Sequence, residues 1–384
     1  MGLNRVILPE IVPQRLRVDE DYSTDVFRYG YYNTYPQEIL EKLRASGITS
    51  GAVSLFQDFI FGEGFEDESF GNSVVNKKGQ TANDLLSEYA IERSIFSGAS
   101  FHINYNMLLE SENITIIPYQ FCRIARFDSD KSGKIGVYDN WAGESYERRK
   151  KSIKDIEYID HFTNDLEKTQ QQIENAGGFE NWKGQVLYYS SQGHSRYPLC
   201  VFDAVINDVE TDALYSTYRK RTGQNNFNPS VILDFLGDYE DDDQKKIEKS
   251  VKNFQGSENA GNALMFFGNN TDAEGNIVKN VEVTVPSTQN NDDIYVNQER
   301  SVQGNITRLF KQPKVLVAMD DSGLFNQDQM ENAYTFYNEV TKKQRTEASR
   351  IFESIFSNYS DNINPSGNYR IKAKQYGEIN VSND

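Results

Sequence analysis

RYPLCVFDAVINDVETDALYSTYRKRTGQNNFNPSVILDFLG, Arg196 to Gly237, runs from a proline loop through a polar helix into a strand. The helix is expected from Val201 to about Arg221, with Val205, Val209 and Tyr215 as its apolar stripe. Pro229 opens the strand, a position where a missing N–H does no harm. Beyond it, DDDQKKIEKSVKNF reads as a short helix whose acidic start and basic end suit the helix dipole. ALMFFG and VEVTVP read as strands around an Asn/Gly-rich turn. A second helix is expected from about Asp292 to Phe310, stopped by Gln312-Pro313. Two helices thus bracket a small mixed insertion.

On the N-terminal side, the first thirty-odd residues show no sustained period and read as an extended arm. Helices begin at Pro36, a first-turn position that proline favours, and again in ITSGAVSLFQDFIFGEGF, with Gly62-Glu63-Gly64 as its stop. TANDLLSEYAIERSIFSG is a third helix, with Thr81 as N-cap and Gly98 past its end. FHINYN, NITIIPYQF, CRIARF, KIGVYDNW and GQVLYYSS read as strands of a small sheet. The Gln-rich stretch from Asp160 to Gly178 reads as an amphipathic excursion or insertion. On the C-terminal side, the polar loop AMDDSGLFNQDQM leads into the longest helix, Glu331 to about Tyr359, and YRIKAKQYGEINV ends in one strand. The fold class expected is α+β.

The 384 residues suffice for one large domain or two ordinary ones, and the net charge of −17 argues against a protein that grips nucleic acid over its whole surface. It leaves room for one past which nucleic acid must slide without sticking. No apolar run is long enough to cross a bilayer, and the first residues lack the order of a signal peptide. Cys122 and Cys200 alone make neither a disulfide framework nor a zinc site, so a reducing compartment is expected.

No phosphate loop, HExxH, CxxC or GxSxG occurs, and His102, His161 and His194 share no ligand spacing. Asp241, Asp242 and Asp243 could hold Mg²⁺, but a helix start with a solvated charge run accounts for them as well. No enzyme activity and no cofactor is expected. FDSDKSGKIGVYD, Phe127 to Asp139, sets Asp128, Asp130, Ser132 and Asp139 at calcium-loop spacing. The flanking runs alternate as strands, so the stretch reads as a hairpin turn, with a calcium-dependent binding module as the competing reading.

Several of these stretches, in this order, resemble the portal proteins of tailed bacteriophages. YPQEILEKLRASGITSGAVSLFQDFIFGEGF is similar to the family's early helical pair, and GQTANDLLSEYAIERSIFSGASFHINYN to the next helix and strand. CRIARFDSDKSGKIGVYDNW resembles a hairpin of its wing. The opening stretch is similar to the family's "YPLP" loop, first stem helix and entry to the clip, with Cys200 where proline often stands. FQGSENAGNALMFFG, then DIYVNQERSVQGNITRLFKQPKVL, resemble clip and second stem helix. AMDDSGLFNQDQMENAYTFYNEVTKKQRTEASRIFESIF resembles the tunnel loop and the helix behind it. The resemblance spans about Tyr35 to Tyr359; the Gln-rich stretch has no counterpart, and any crown would be small.

The resemblance implies an arm (1–34), an α/β wing (35–199), a first stem helix (200–223) and a clip (224–290). A second stem helix (291–312), a tunnel loop (313–330) and a long wing or crown helix with its tail (331–384) would complete the chain. It implies a homo-oligomeric ring of twelve at one capsid vertex of a virion, made in the bacterial cytoplasm. Double-stranded DNA would pass through it without sequence specificity, and no membrane is involved. Partners would be the major capsid protein, the large terminase, which supplies the ATPase, and head–tail adaptors. Another ring-forming head–tail connector is the alternative. Asp320, Asp321, Ser322, Gly323, Leu324, Phe325, Asn326 and Gln327 are the expected tunnel loop, and Arg219, Lys220, Arg221, Arg300, Arg308 and Lys311 the candidate basic rings of the channel. Those six serve equally as solubilising charges or inter-subunit ion pairs. Lys245, Lys246, Lys249 and Lys252 would face solvent or an adaptor.

Overall fold

Two local signals start the first helices where the sequence places them. In the computed structural model, which describes residues 18–141, 155–193, 196–224, 232–235, 281–284, 292–317 and 327–377, Pro36 sits in the first turn of α1 (Tyr35–Ala45). The Ser46 side chain accepts the Thr49 N–H and begins α2 (Gly47–Phe61), which stops at Gly62 with φ +64°. A helical turn, α3 (Glu68–Gly71), follows. Thr81 and Asp84 form a reciprocal capping box at the start of α4 (Ala82–Phe96). The left-handed residue at the end of α4 is Ser97, φ +58°, one place before the expected glycine. Gly98 is needed for close approach instead: a Cβ there would lie 2.5 Å from the Tyr189 carbonyl oxygen.

The chain divides into two units, one formed by Met1–Ile206 with Ile306–Asp384 and the other by Asn207–Asn305. The first is α+β. Its six-stranded sheet comprises β3 (Gly98–Tyr105), β4 (Ser111–Ile117), β5 (Cys122–Ile124), β6 (Lys134–Val137), β7 (Glu157–His161) and β8 (Gln185–Ser190), in the order β4-β3-β8-β7-β6-β5. All neighbours are antiparallel except β7 and β8, which run parallel and are joined over α5 (Leu166–Asn175). The Gln-rich stretch is therefore the crossover of a βαβ unit, whose first strand, EYIDH, begins before it.

The arm expected up to residue 34 is, from residue 18 onward, built into this unit. The two-residue strands β1 (Glu20–Asp21) and β2 (Val26–Phe27) pair, and Val26 bridges to Ala125 beyond β5. At the C-terminal end, the expected strand is an extended segment with one bridge, Phe65 to Ile371, and Lys372 donates its N–H to the Gly64 carbonyl at 2.9 Å. Gly62 admits this strap because a Cβ would stand 1.9 Å from the Lys372 oxygen. Between them lies α8 (Gln327–Phe356), whose buried stripe Ala333, Tyr337, Thr341, Arg345, Ala348 and Phe352 recurs at helical spacing. Phe352 packs at 5.0 Å on Phe65 and 5.8 Å on Phe101, joining helix, loop and sheet in one aromatic core.

Arg123 is fully buried on β5. Its Nε donates to Asn33 Oδ1 at 2.5 Å and its Nη2 to the Asn33 carbonyl at 2.8 Å. Its Nη1 donates to the carbonyls of Gln120 and Cys122 at 2.9 and 2.8 Å. None of these acceptors is a carboxylate. The Tyr29 and Trp141 rings lie 5.4 and 5.1 Å from the guanidinium. Replacing Arg123→Met should cost about 3 kcal/mol or more in urea unfolding, because buried carbonyls lose their donors. Arg123→Lys should not restore it, since an ammonium lacks the planar fork.

Glu92 on α4 accepts the Tyr119 N–H at 3.2 Å, and withdrawal from water pushes its carboxyl from 4.5 up to about 7, the neighbouring Glu88 adding to the rise. The folded chain therefore holds a proton between those values that the unfolded chain has released. Glu92 should make stability fall as pH rises from about 4.5 to about 7. Glu92→Gln should flatten that part of the denaturation-versus-pH curve.

Candidate functional site

The helices that bracket the insertion are α6 (Ile206–Gln224) and α7 (Asp292–Leu309). A 3-10 turn, Asp203–Val205, precedes α6, so the helix starts five residues after the expected Val201. The loop before it is tied down by tyrosines. Tyr197 donates its hydroxyl to the Phe27 carbonyl at 2.7 Å and accepts the Ile124 N–H at 2.8 Å. Tyr29 donates to the Pro198 carbonyl and stacks on Tyr197 at 4.2 Å. Tyr35 accepts the Cys200 N–H at 3.0 Å and donates to Asp203 at 2.9 Å.

Within the second unit, Asn305 donates to Asp208 at 3.3 Å, Tyr215 to Gln298 at 2.9 Å, and Arg219 pairs with Glu299 at 2.8 Å. Rising numbers on α6 meet falling numbers on α7, so the two helices lie antiparallel, with Val209 and Val302 both buried. Between them in sequence, β9 (Ile232–Phe235) and β10 (Val281–Thr284) pair antiparallel in the register Ile232 to Thr284.

Of the candidate channel cations, Lys220, Arg300, Arg308 and Lys311 are exposed. Arg219 is exposed too, but its charge is met by Glu299. Arg221 lies in α6, with its side chain outside the described residues. Lys311 occupies the left-handed position, φ +54°, that closes α7. There the Gln312 N–H reaches the Thr307 carbonyl at 3.1 Å and the Lys311 N–H the Arg308 carbonyl at 3.0 Å. Gln312 turns inward and donates to the Ala52 carbonyl at 2.6 Å and to the Tyr337 hydroxyl at 3.3 Å, which anchors this end of the helix.

The tunnel-loop residues Asp320, Asp321, Ser322, Gly323, Leu324, Phe325 and Asn326 lie outside the described residues. Gln327 is the first residue of α8, four places earlier than the expected start, and donates to Glu331 at 2.8 Å. Asp241 to Asp243, Lys245, Lys246, Lys249, Lys252 and His194 also lie outside them. His102 and His161 each contact a separate backbone carbonyl, of Lys183 and Phe162. Burial pushes the thiols of Cys122 and Cys200 up to about 12.

The calcium-loop spacing falls between two strands, not two helices: β5 and β6 pair, with Gly133 at φ +77° in the turn. Asp128 is engaged by Arg126 at 2.6 Å, which also faces Asp25 at 3.4 Å and Glu20 at 3.9 Å beneath the Tyr22 ring. A cation already stands among these carboxylates. Asp130, Ser132 and Asp139 are exposed, and among the described residues no cluster of three or more His, Cys, Asp or Glu could hold a metal ion. No described helix is long and apolar enough to cross a membrane.

No protein-family model matches the chain, and no curated protein does. Solved structures do match. A chain in the neck of a native GTA particle, computed with C12 symmetry, has a TM-score of 0.50 at 10% identity, covering 85% of this chain and 82% of that one. A chain in the neck of an empty GTA particle, computed with C6 symmetry, has a TM-score of 0.51 at 11% identity, covering 90% and 86%. An HK97-family phage portal protein from Corynebacterium diphtheriae matches at 10% identity with a TM-score of 0.47, covering 84% of this chain and 92% of that one. The chain shares the fold of the particle-neck chains.

Lysine at the left-handed position of α7 carries a conformational cost that glycine would not. Lys311→Gly should raise unfolding stability by about 1 kcal/mol, measured in urea.

Proposed function

We propose that this chain is a portal subunit. Twelve copies would form a ring at one capsid vertex, a channel for packaging and ejecting double-stranded DNA and a platform for terminase and head–tail adaptors. The observation that carries the reading is the excursion of the chain from one unit at Ile206 and its return at Ile306, with an antiparallel helix pair and a β-pair in between. That arrangement occurs in a fold shared over most of the chain with components of particle necks, one computed with twelve-fold symmetry. The stem segments would be 200–223, helical from Ile206, and 291–312, helical from Asp292, with the clip at 224–290 and the tunnel loop at 313–330, whose residues from Gln327 onward lie in α8.

The role is structural and non-catalytic. A conduit must touch phosphates without holding them, because each Lys or Arg contact adds affinity through counterion release and so adds friction. A chain of net charge −17 suits that need, and a few exposed cations repeated around an axis would centre the duplex. Lys220, Arg308 and Lys311 are the cations proposed for those rings, while Arg219 is held by Glu299.

Mass photometry and negative-stain imaging of the purified chain should show closed rings. A chain that stays monomeric under every condition overturns the reading. In particles, deleting residues 320–326 should leave rings intact and reduce packaged DNA; loss of rings instead would show that the segment is no tunnel loop.

A further inference from the structure

Between α8 and the C-terminal strap lies an open groove of about 540 Å³. One wall is the face of α8 from Asn338 to Glu353, about 22 Å of helix at 1.5 Å per residue. The other is the strap from Gly367 to Ala373, only one edge of which is paired. Glu66 donates its N–H to the Arg370 carbonyl at 2.8 Å, Lys372 donates to the Gly64 carbonyl at 2.9 Å, and Glu63 donates to the Lys372 carbonyl at 3.2 Å. Successive residues of an extended chain turn their backbone groups to opposite sides. Those of Ile371 and Ala373 therefore face away from residues 63–66. Both residues line the groove, and among the described residues neither has a partner for its N–H or C=O.

The groove also gathers cations, on a chain whose net charge is −17. Of its carboxylates, Glu339 is paired with Lys342 at 3.4 Å and Glu66 accepts from the Asn368 amide at 3.2 Å, which leaves Glu353. Arg350 and Arg370 are exposed and pair with no carboxylate among the described residues. Arg345, 7% exposed, donates to the carbonyls of Phe59 and Asn338 and to the Thr341 hydroxyl, each at 2.7 Å, and none of these acceptors is charged. A phosphate or a nucleic-acid backbone could accept from the two free N–H groups but has no donor for the two carbonyls. An extended peptide offers both at the strand repeat.

We propose that this groove docks an extended acidic segment of a partner protein, which adds a strand to the edge at Ile371 and Ala373 and lays its carboxylates against Arg345, Arg350 and Arg370. The site stands whether or not the chain forms rings.

Fluorescence anisotropy with a labelled seven-residue probe of alternating Glu and Val, blocked at both ends, should show saturable binding to the full chain. A fully N-methylated copy of the probe keeps the charges but loses the donors, and should bind at least about tenfold more weakly. Ala373→Pro removes the outward N–H and no hydrogen bond of the chain, and it suits the extended Lys372 before it. It too should weaken the probe about tenfold. Arg350→Glu/Arg370→Glu should do so as well and reduce the dependence of binding on salt. Should Ala373→Pro lower the melting temperature, the N-methylated probe and the arginine variant decide. No binding up to about 1 mM, or equal binding of the N-methylated probe, overturns the proposal. Binding seen only after residues 378–384 are deleted, or only in dissociated subunits, means that copies of the chain fill the groove themselves, and overturns it too.

Discussion

A buried guanidinium cannot shed its proton, so it must be met by acceptors or stay out of the core. Arg123 is met by carbonyls from two separate parts of the chain, the 33 and the 120–122 segments, and by the rings of Tyr29 and Trp141. Unless all of these assemble together, a full charge is left stranded. The residues it gathers are the ones that carry the next layer. Tyr29 holds the loop at Pro198, Tyr197 bonds both Phe27 and Ile124, and Tyr35 reaches Cys200 and Asp203. The loop that precedes α6, up to Asp203, is thereby tied to the sheet through a chain of hydroxyls and one cation. At the other end of the excursion a single amide, Gln312, joins the end of α7 to α2 and α8.

Where local chemistry decides, the sequence was legible. Pro36, Ser46 and Thr81 start helices through their own φ angle or side-chain oxygen, and the strands that alternate clearly are strands. Reading failed where distant partners decide. The residues after Val18 show no period because Val26 and Tyr29 are buried by contacts 99 and 169 residues away. Strand β7 was missed because EYIDH is polar at most positions: Asp160 is satisfied by Lys134 and Trp182, which no local pattern reveals. Val201 and Phe202 read as the start of a helix, yet Phe202 is buried ahead of a 3-10 turn whose course the tyrosines set.

The candidate site was legible in its elements and not in its detail. Two polar helices around a small insertion could be seen in the residue pattern. That Arg219 is neutralised by Glu299 requires the register of one helix on the other, and that Lys311 closes α7 in a left-handed conformation requires its backbone. The calcium-loop spacing shows the converse. Its residue types were right, and the strands on either side gave its first carboxylate to Arg126.

The first unit is discontinuous in sequence: residues up to Ile206 wait for residues from Ile306 onward, while Asn207–Asn305 can close on itself first. Phe352 and the strap at Lys372 complete a core whose other walls were synthesised some three hundred residues earlier, at Phe65 and Gly64. A ribosome therefore releases a chain whose mid-sequence helices can already pair while the first unit is still open. Such an order exposes aromatic surface during synthesis and makes long-range closure the slow step.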